Sequence, residues 1–393
     1  MTKRAKTSRL SKLNEKQTSL PALSALIDVP SFDQLVPTQA QREAYGSCVE
    51  YLQEAGVSSA QLKLARVVRL DRGFPAVVSS VGVFRAEFSA RVTKGDNSKV
   101  AVGDWVCARI PLDHDMGIIE AILPRKSEIA RWRGSARGEK QTLAANVDVT
   151  FVVQALDERK ISIDRIVRSV VIALDSNVRA VVVLTKADSV SPATLKRHLT
   201  LIHEVLGDAV TTIVTSSKLE ASHESFCDEM KQIVQKFHAR WGMDAIREEI
   251  PQESVAIVLG ESGAGKSTLL NALLGHEALE TGEVRASDKA GRHTTVARRM
   301  VTLPKAGIIV DEPGLRSLPV VGHEQGLTKV FPRISRAATA CKFRDCTHVH
   351  EPGCGVREAL RAGECSSAQV DAYLSLAHEM QVSARLLDPD VVL

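Results

Sequence analysis

The chain has 393 residues, a net charge of +4 and 25% charged side chains, and it is too long for one ordinary hydrophobic core, so several domains are expected. No apolar run reaches the length of a membrane span, and the first residues are polar instead of forming an apolar signal core, which argues against a membrane-spanning or secreted protein. We expect a cytoplasmic, multidomain monomer whose small positive charge permits a polyanionic partner without requiring one.

Residues 1–60 are predicted to contain a basic disordered tail followed by a helix. Over residues 1–20 the charged side chains are basic except for Glu15, and large apolar side chains are rare, a composition typical of disorder. This tail is either an arm that neutralises RNA phosphates or a solubilising segment without a fixed partner. Thr38 and Gln41 have the spacing of a capping box, which predicts a helix packed on a neighbouring domain.

Residues 61–127 have the pattern of a small β-barrel of the OB type. Five short β-rich runs alternate with turn residues, and the third is predicted to extend over residues 83–92. OB folds often bind nucleic acid on one face, but this segment has few aromatic side chains for base stacking. Trp105 is interpreted as a core residue in preference to a stacking platform.

Residues 128–143 are predicted to be a basic linker. Basic side chains outnumber the acidic ones, Glu128 and Glu139, which favours contact with RNA phosphates over a plain solvated connector. The basic residues are Arg131, Arg133, Arg137 and Lys140.

Residues 144–330 alternate apolar strands with helices, which predicts a parallel sheet covered by helices on both faces. In such a sheet the ligand site lies beyond the carboxyl ends of the strands. The predicted strands cover residues 147–155, 178–184 and 211–214, and the predicted helices cover residues 163–174 and 191–206.

A GxxxxGK[ST] phosphate loop lies between a predicted strand, residues 254–259, and a predicted helix, residues 268–274. Glycines let backbone N–H groups and the helix N-terminus face phosphate oxygens, while Lys266 supplies a cation and Ser267 a hydroxyl for Mg²⁺. The alternative is a glycine-rich turn that binds nothing, which leaves the flanking strand and helix unexplained. The predicted phosphate-binding residues are Gly260, Glu261, Ser262, Gly263, Ala264, Gly265, Lys266, Ser267 and Thr268.

Two polar segments at predicted strand ends have the pattern that recognises guanine in small GTPases. The Asp188 carboxylate accepts hydrogen bonds from N1–H and the exocyclic amine of guanine, a donor pair that adenine lacks. Thr185 stands where those GTPases have asparagine, which predicts a lower guanine affinity. The second segment has the Ser-x-Lys pattern that closes over the base. The predicted guanine-binding residues are Thr185, Lys186, Asp188, Ser216 and Ser217.

Two segments after the phosphate loop have the pattern of Mg²⁺-dependent switches. Asp311 and Gly314 form an Asp-x-x-Gly motif after a predicted strand, residues 307–310, and this motif senses the γ-phosphate. Thr294 and Thr295 lie in the intervening loop, where a switch threonine contributes to Mg²⁺ binding. The predicted Mg²⁺ and switch residues are Ser267, Thr294, Thr295, Asp311 and Gly314.

The guanine motifs precede the phosphate loop and the switch motifs follow it, which reverses the order found in ordinary GTPases. The sequence therefore predicts a circularly permuted α/β P-loop GTPase domain. Leu315 occupies the place of the glutamine that orients the attacking water, so intrinsic turnover is expected to be slow. His293 is the candidate catalytic residue, and the alternatives are a structural histidine or a group supplied by a partner.

A cluster of cysteines and histidines predicts structural zinc in a small helical domain over residues 331–393. Three thiolates and one imidazole form a closed tetrahedral set with no open position for catalysis. Spacing alone leaves His350 as an alternative to His348 for the fourth ligand. The predicted ligands are Cys341, Cys346, His348 and Cys354.

These motifs together resemble the RsgA (YjeQ) family of ribosome small-subunit-dependent GTPases. The resemblance includes Gly-Asp-Trp-Val at residues 103–106, Gly-Arg-His-Thr-Thr at residues 291–295 and the Cys-x₄-Cys-x-His-x₅-Cys pattern. It implies a GTPase that binds the maturing small ribosomal subunit and its rRNA through the barrel and the zinc module, is stimulated by the subunit and leaves after hydrolysis. It also implies GTP or GDP, Mg²⁺ and one structural Zn²⁺ as ligands, with His293 as the catalytic residue.

The sequence leaves three other functions open: a nucleotide-gated RNA-binding switch in which hydrolysis only resets docking, a large-subunit assembly GTPase, and a P-loop ATPase. The GTPase interpretations share one geometric requirement. The segments that must meet at a single guanine nucleotide are residues 185–188, 216–218, 260–268 and 311–314.

Overall fold

A computed structural model of the protein describes residues 23, 26, 28–71, 74–94, 99–133, 139–216, 224–276, 298–311, 320 and 322–385. The tail predicted over residues 1–20 lies outside this part of the chain. Within the described residues, no helix combines the length and the hydropathy that crossing a bilayer requires.

The first domain is a closed five-stranded barrel in the order β1-β2-β3-β5-β4, with β4 pairing back onto β1. Strands β3 and β5 are parallel and the other neighbours are antiparallel, which is the OB topology that the sequence predicts. Fully buried apolar side chains such as Val67, Val77 and Ile119 fill its interior. The strands are β1 (Leu62–Asp71), β2 (Phe74–Ser79), β3 (Gly82–Phe88), β4 (Trp105–Arg109) and β5 (Gly117–Ile122).

The third predicted strand is shorter than expected. Strand β3 ends at Phe88, and a short helix, α2 (Ala90–Lys94), follows where the sequence predicts a strand to residue 92. The Ser89 hydroxyl accepts a hydrogen bond from the Val92 N–H, so a polar cap interrupts the apolar run. Trp105 is 1% exposed and belongs to the core, as interpreted from the sequence.

Residues 128–143, predicted as a linker, contain most of an antiparallel hairpin formed by β6 (Glu128–Arg133) and β7 (Glu139–Ala145). Ile129 and Leu143 are fully buried. Ile129 lies opposite the equally buried Ala144, so the hairpin packs on the core through the end at which its two strands meet the rest of the fold.

Before the barrel, helix α1 (Gln39–Glu54) begins with the predicted capping box. The Thr38 hydroxyl accepts from the Gln41 N–H, and the Gln41 side chain accepts from the Thr38 N–H. Leu52 of this helix packs with Leu62 and Cys107 of the barrel, which confirms that the helix packs on a neighbouring domain.

The α/β domain is built on six parallel strands in the order β11-β10-β9-β8-β12-β14, followed by the antiparallel β13. The strands are β8 (Val149–Ala155), β9 (Arg179–Thr185), β10 (Thr211–Val214), β11 (Arg240–Trp241), β12 (Val255–Leu259), β13 (Arg298–Thr302) and β14 (Ile308–Asp311). The helices are α3 (Ile163–Asp175), α4 (Pro192–Leu206), α5 (Glu224–Lys236), α6 (Gly242–Glu248) and α7 (Lys266–Leu274). The central strands are buried on both faces, which explains why their sequences are almost continuously apolar.

Strand β13 joins the two domains. It pairs antiparallel with β14 on one side and with β1 of the barrel on the other, through Arg299 opposite Arg69. The barrel and the α/β sheet are therefore one continuous hydrogen-bonded system of twelve strands.

A buried polar junction reinforces this connection. The guanidinium of Arg66, which is 2% exposed, donates to the carbonyls of Gly103 and Asn146, both at 3.1 Å. The Asn146 amide in turn donates to the Gly103 carbonyl and accepts from Gln41 and from the Lys126 N–H. Because each buried polar group has a partner, the junction fixes the barrel, helix α1 and the start of the α/β domain relative to one another.

The C-terminal module consists of helices that pack on α3 and α4 of the α/β domain. The carboxylate of Asp175 accepts from the Gly326 N–H at 2.7 Å and contacts His323 at 3.0 Å, which fastens the first of these helices. Arg168 and Glu379 form an ion pair between α3 and the last helix. The module contains α8 (Glu324–Val330), α9 (Pro332–Ala338), α10 (Gly355–Arg361) and α11 (Ser367–Arg385).

We expect Gln41→Ala to lower the free energy of unfolding by about 1–3 kcal/mol, because the carbonyl of Pro124 and the amide oxygen of the buried Asn146 each lose a hydrogen bond. Urea denaturation followed by tryptophan fluorescence measures the change. Gln39→Ala is the matched control, since the exposed Gln39 bonds only to Glu43 one turn along and should cost less than about 0.5 kcal/mol. Equal losses for the two variants would contradict a special role of Gln41.

Candidate nucleotide site and metal centre

The phosphate loop connects the fully buried strand β12 to helix α7, as the sequence predicts. Two of its glycines are required by close approach. A Cβ on Gly260 would lie 2.4 Å from the Val153 carbonyl oxygen, and Gly265, with a φ of +87°, lies against the Thr185 side chain. The loop therefore lies tightly over the ends of β8 and β9.

The Lys266 ammonium lies over its own loop. It donates to the carbonyls of Gly260 and Glu261, both at 2.6 Å. These contacts hold the cation beside the backbone that faces the ligand, where it can contact phosphate oxygens.

Thr185 ties the guanine-recognition segment to the phosphate loop. Its buried hydroxyl donates to the Ala264 carbonyl at 2.7 Å. The asparagine that stands here in small GTPases is expected to help hold the loop, and in this chain the threonine hydroxyl makes a direct bond to it.

Asp188 and Ser216 meet although 28 residues separate them. Strands β9 and β10 are parallel, with Leu184 opposite Val214, so the two polar segments leave the sheet side by side. The Ser216 hydroxyl donates to one oxygen of the Asp188 carboxylate. This bond orients the group that the sequence predicts to accept hydrogen bonds from guanine.

Asp311 lies at the same edge of the sheet as the phosphate loop. Strands β12 and β14 are parallel, with Ile257 opposite Val310, so Asp311 and Gly260 follow neighbouring strand ends. The Asp311 carboxylate lies 3.8 Å from Arg299 on β13, the strand that also contacts the barrel.

A cleft of about 340 Å³ separates the phosphate loop from the segment that follows β8. Residues 261–264 and Lys186 line one side, and residues 154–157, residues 160–162 and Arg165 line the other. Sequence motifs did not identify Lys160 or Arg165. The signal that points to them is their place after a parallel strand, since such strand ends converge on the ligand edge.

Glu158 anchors the far wall of this cleft. Its carboxylate accepts from the Thr194 hydroxyl at 2.6 Å and the Ser191 N–H at 2.5 Å, and these bonds lower the pKa of Glu158. His198 donates a hydrogen bond from Nε2 to the Arg159 carbonyl at 2.8 Å, and burial lowers the pKa of this imidazole, which favours its neutral form.

The structure thus brings together the described parts of three predicted segments: residues 185–188, Ser216 and residues 260–268. It places Asp311 on the same sheet edge. The predicted site residues that lie outside the described part of the chain are Ser217, His293, Thr294, Thr295 and Gly314.

The four predicted zinc ligands form a compact cluster. Their ligand atoms all lie within 4.8 Å of one another. His348 Nδ1 lies 3.4 Å from Cys341 Sγ and 3.5 Å from Cys354 Sγ, and the two sulfur atoms are 3.9 Å apart. Tetrahedral zinc, with bonds of about 2.3 Å to sulfur and about 2.0 Å to nitrogen, separates its ligands by about 3.5–3.8 Å. The cluster, completed by Cys346, therefore fits a zinc ion.

The fold distinguishes the two candidate histidines. His348 contributes its ring to the cluster, and burial lowers its pKa, which favours the neutral imidazole that binds metal. His350 is exposed, and its N–H donates to the Glu351 carboxylate, which also accepts from Thr347. His348 also lies beside Tyr373 of α11, with ring centroids 6.3 Å apart, so the cluster is joined to the helical module.

Comparison with known proteins agrees with this geometry. A model of the RsgA GTPase family matches residues 122–321. A protein named small ribosomal subunit biogenesis GTPase RsgA from Streptomyces avermitilis is 37% identical over 328 residues, covering 83% of this chain and 82% of that protein. The chain belongs to the RsgA GTPase family. The family predicted from the sequence is confirmed.

Other members of the RsgA family extend the comparison. A protein of the same name from Leptospira interrogans is 33% identical over 84% of this chain and 85% of its own length. Two solved structures share the fold: YjeQ from Thermotoga maritima, with a TM-score of 0.57 and 22% identity over 81% of this chain and 99% of that chain, and YloQ, with a TM-score of 0.53 and 20% identity over 83% and 98%. YloQ is described as a circularly permuted GTPase, so the predicted fold class is confirmed as well.

We expect one zinc ion per chain in the purified protein, and we expect His348→Ala to lose it while His350→Ala retains it, because only the first ring lies among the sulfur atoms. Elemental analysis by mass spectrometry, after dialysis against a weak chelator, gives the zinc content of each variant. Loss of zinc from His350→Ala with retention in His348→Ala would reverse the assignment.

Proposed function

We propose that this protein is a GTPase that binds the small ribosomal subunit and hydrolyses GTP to GDP and phosphate during late subunit assembly. Hydrolysis is coupled to release of the protein from the subunit. The proposal also includes binding to rRNA, a monomeric state and a cytoplasmic location, where ribosomes are assembled. The names of its relatives, which are small ribosomal subunit biogenesis GTPases, support the choice of subunit.

One observation carries the proposed chemistry: the Thr185 hydroxyl bonds to the phosphate loop at Ala264, while Asp188 is oriented by Ser216 in the next strand connection. These bonds support the proposal that Asp188 recognises guanine while residues 260–268 bind the phosphates, since both segments lie at one edge of one sheet. A site of this kind binds the base and the phosphates of one nucleotide, and it favours GTP over ATP because adenine lacks the donor pair that Asp188 accepts.

Mg²⁺ accompanies GTP in this proposal. Ser267 lies in the first turn of α7 and Asp311 ends β14, the strand next to β12, so this edge of the sheet offers two hard oxygen donors of the kind that Mg²⁺ prefers. When bound, the ion neutralises charge on the β- and γ-phosphates. Thr294, Thr295 and the Gly314 N–H are proposed to complete the switch.

His293 is proposed as the residue that orients or activates the attacking water, since Leu315 can neither donate nor accept a hydrogen bond. Slow turnover without a partner follows from the leucine at this position, and the subunit is proposed to accelerate hydrolysis by acting on the switch segments.

A short segment of the chain connects the proposed nucleotide site to the C-terminal module, which gives hydrolysis a way to affect release. Residues 312–323 connect Asp311 to helix α8, which Asp175 and Lys329 fasten to the C-terminal end of α3. A change at Asp311 on loss of the γ-phosphate therefore reaches the helix that begins the zinc module. The same change can affect the barrel through β13, because Arg299 of this strand lies 3.8 Å from the Asp311 carboxylate and the strand pairs with β1.

We expect purified small subunits to raise the GTPase rate by at least about tenfold, and large subunits to leave it unchanged, because Leu315 leaves the attacking water without its usual partner and the subunit is proposed to compensate. Phosphate release under steady-state conditions, with each subunit and without ribosomes, measures this. Stimulation by large subunits only would assign the protein to large-subunit assembly. Nucleotide-dependent docking without any acceleration would favour the RNA-binding switch.

We expect Asp188→Asn to weaken GTP binding by at least about tenfold, because the amide cannot accept both hydrogen bonds from guanine. The same variant should gain affinity for xanthosine triphosphate, whose 2-oxo group accepts from the new amide. Competition against a fluorescent nucleotide measures the affinities. Equal binding of ATP and GTP by the wild type, unaffected by this substitution, would support a P-loop ATPase instead.

A further inference from the structure

The phosphate loop contains an acid, Glu261, at a place where the ligand is a polyanion. Its backbone carbonyl holds the Lys266 ammonium, and its side chain lines the cleft next to the loop. An uncompensated carboxylate here would repel the phosphates over several ångströms, since the interaction of like charges falls only slowly with distance in a partly desolvated cleft.

Arg165 approaches this acid from the opposite wall. Its Nη1 donates to Glu261 Oε2 at 2.5 Å, across 96 residues of sequence. Arg165 lies in the first turn of α3, directly after the segment that Glu158 anchors through Ser191 and Thr194. The anchored segment after β8 and the first turn of α3 therefore together hold the Arg165 guanidinium beside the phosphate loop.

Basic side chains outnumber acidic ones around the cleft. Its lining includes three basic side chains and two acidic ones. Asp157 follows β8 and accepts a hydrogen bond from the Arg159 N–H, whereas Glu261 belongs to the phosphate loop itself. The charged residues that line it are Asp157, Lys160, Arg165, Lys186 and Glu261.

We propose that Arg165 is a positioning residue for GTP binding, which acts by holding the Glu261 carboxylate towards the opposite wall of the cleft, so that this acid cannot turn towards the phosphates of a nucleoside triphosphate. This inference rests on the proposed function. Arg165 acts through Glu261 and not by contact with the nucleotide.

The pair has little role in stability. The Arg165 and Glu261 side chains are 53% and 44% exposed, and exposed ion pairs stabilise a fold only slightly. The Arg165–Glu261 pair affects nucleotide affinity more than folding stability, because each charged group in the cleft interacts with the several negative charges of a triphosphate.

A double-mutant cycle tests the proposal. Titration with a fluorescent GTP analogue at low ionic strength gives the Kd of wild type, Arg165→Ala, Glu261→Gln and the double variant. We expect Arg165→Ala to raise the Kd about threefold to tenfold in the presence of Glu261 and less than about twofold in the presence of glutamine. Glu261→Gln alone should lower the Kd.

Two further measurements separate charge from geometry. Arg165→Lys retains the charge and should stay within about twofold of the wild-type Kd. The loss caused by Arg165→Ala should shrink between about 0.05 M and 0.5 M salt, because screening weakens the repulsion from Glu261.

Arg179→Ala is the matched control. Arg179 is 49% exposed and pairs with Glu249, but it lies at the start of β9, at the opposite edge of the sheet from the phosphate loop. Its removal should leave the Kd for GTP unchanged.

Equal losses from Arg165→Ala in the Glu261 and glutamine backgrounds would mean that Arg165 acts on the phosphates directly, by contact or through its own charge, and would overturn the proposal. So would the absence of any loss. The Lys266→Ala variant distinguishes a failure of this inference from a failure of the proposed function. If either contradicting result is obtained while wild type binds GTP and Lys266→Ala does not, only the role of Arg165 fails. If wild type does not bind GTP, the proposed function itself fails.

Discussion

The site depends on the parallel register of four strands. β8 lies between β9 and β12, with Ala155 opposite Thr185 and Val152 opposite Leu259, and β14 continues the sheet beyond β12. Because parallel strands end at the same edge, the phosphate loop, the guanine-recognition segment and Asp311 leave the sheet together. This convergence does not depend on the order of the strands along the chain. A circularly permuted chain can therefore bring the same motifs together as a GTPase with the ordinary motif order.

The connection to the barrel imposes a second constraint. Through β13 the sheet continues into β1, and the buried Arg66 closes the junction by bonding to Gly103 and Asn146. Asp148, two residues after Asn146, accepts from the Val255 N–H at the start of the phosphate-loop strand. The barrel and the strand that leads into the phosphate loop are thus linked by continuous hydrogen bonding.

The C-terminal module is held in place by its Cys₃His cluster and by contacts with the α/β domain. It is too small to bury a large core by itself, and it combines a Cys₃His cluster with packing on α3 and α4. The Arg168–Glu379 ion pair and the contact of Asp175 with the Gly326 N–H attach it to α3. Helix α3 therefore carries Arg165 at one end, facing the phosphate loop, and Asp175 at the other, facing the helix that follows the switch segment.

The sequence by itself determined the barrel, the permuted α/β domain, the phosphate loop and the Cys₃His cluster, because each depends on local periodicity or on motifs a few residues long. Only the tertiary structure decided that His348 and not His350 joins the cluster, that residues 128–143 form part of a hairpin, and that Arg165 pairs with Glu261. These features depend on distances between residues that are remote in the chain or on which way a side chain points, and composition and spacing do not encode either one.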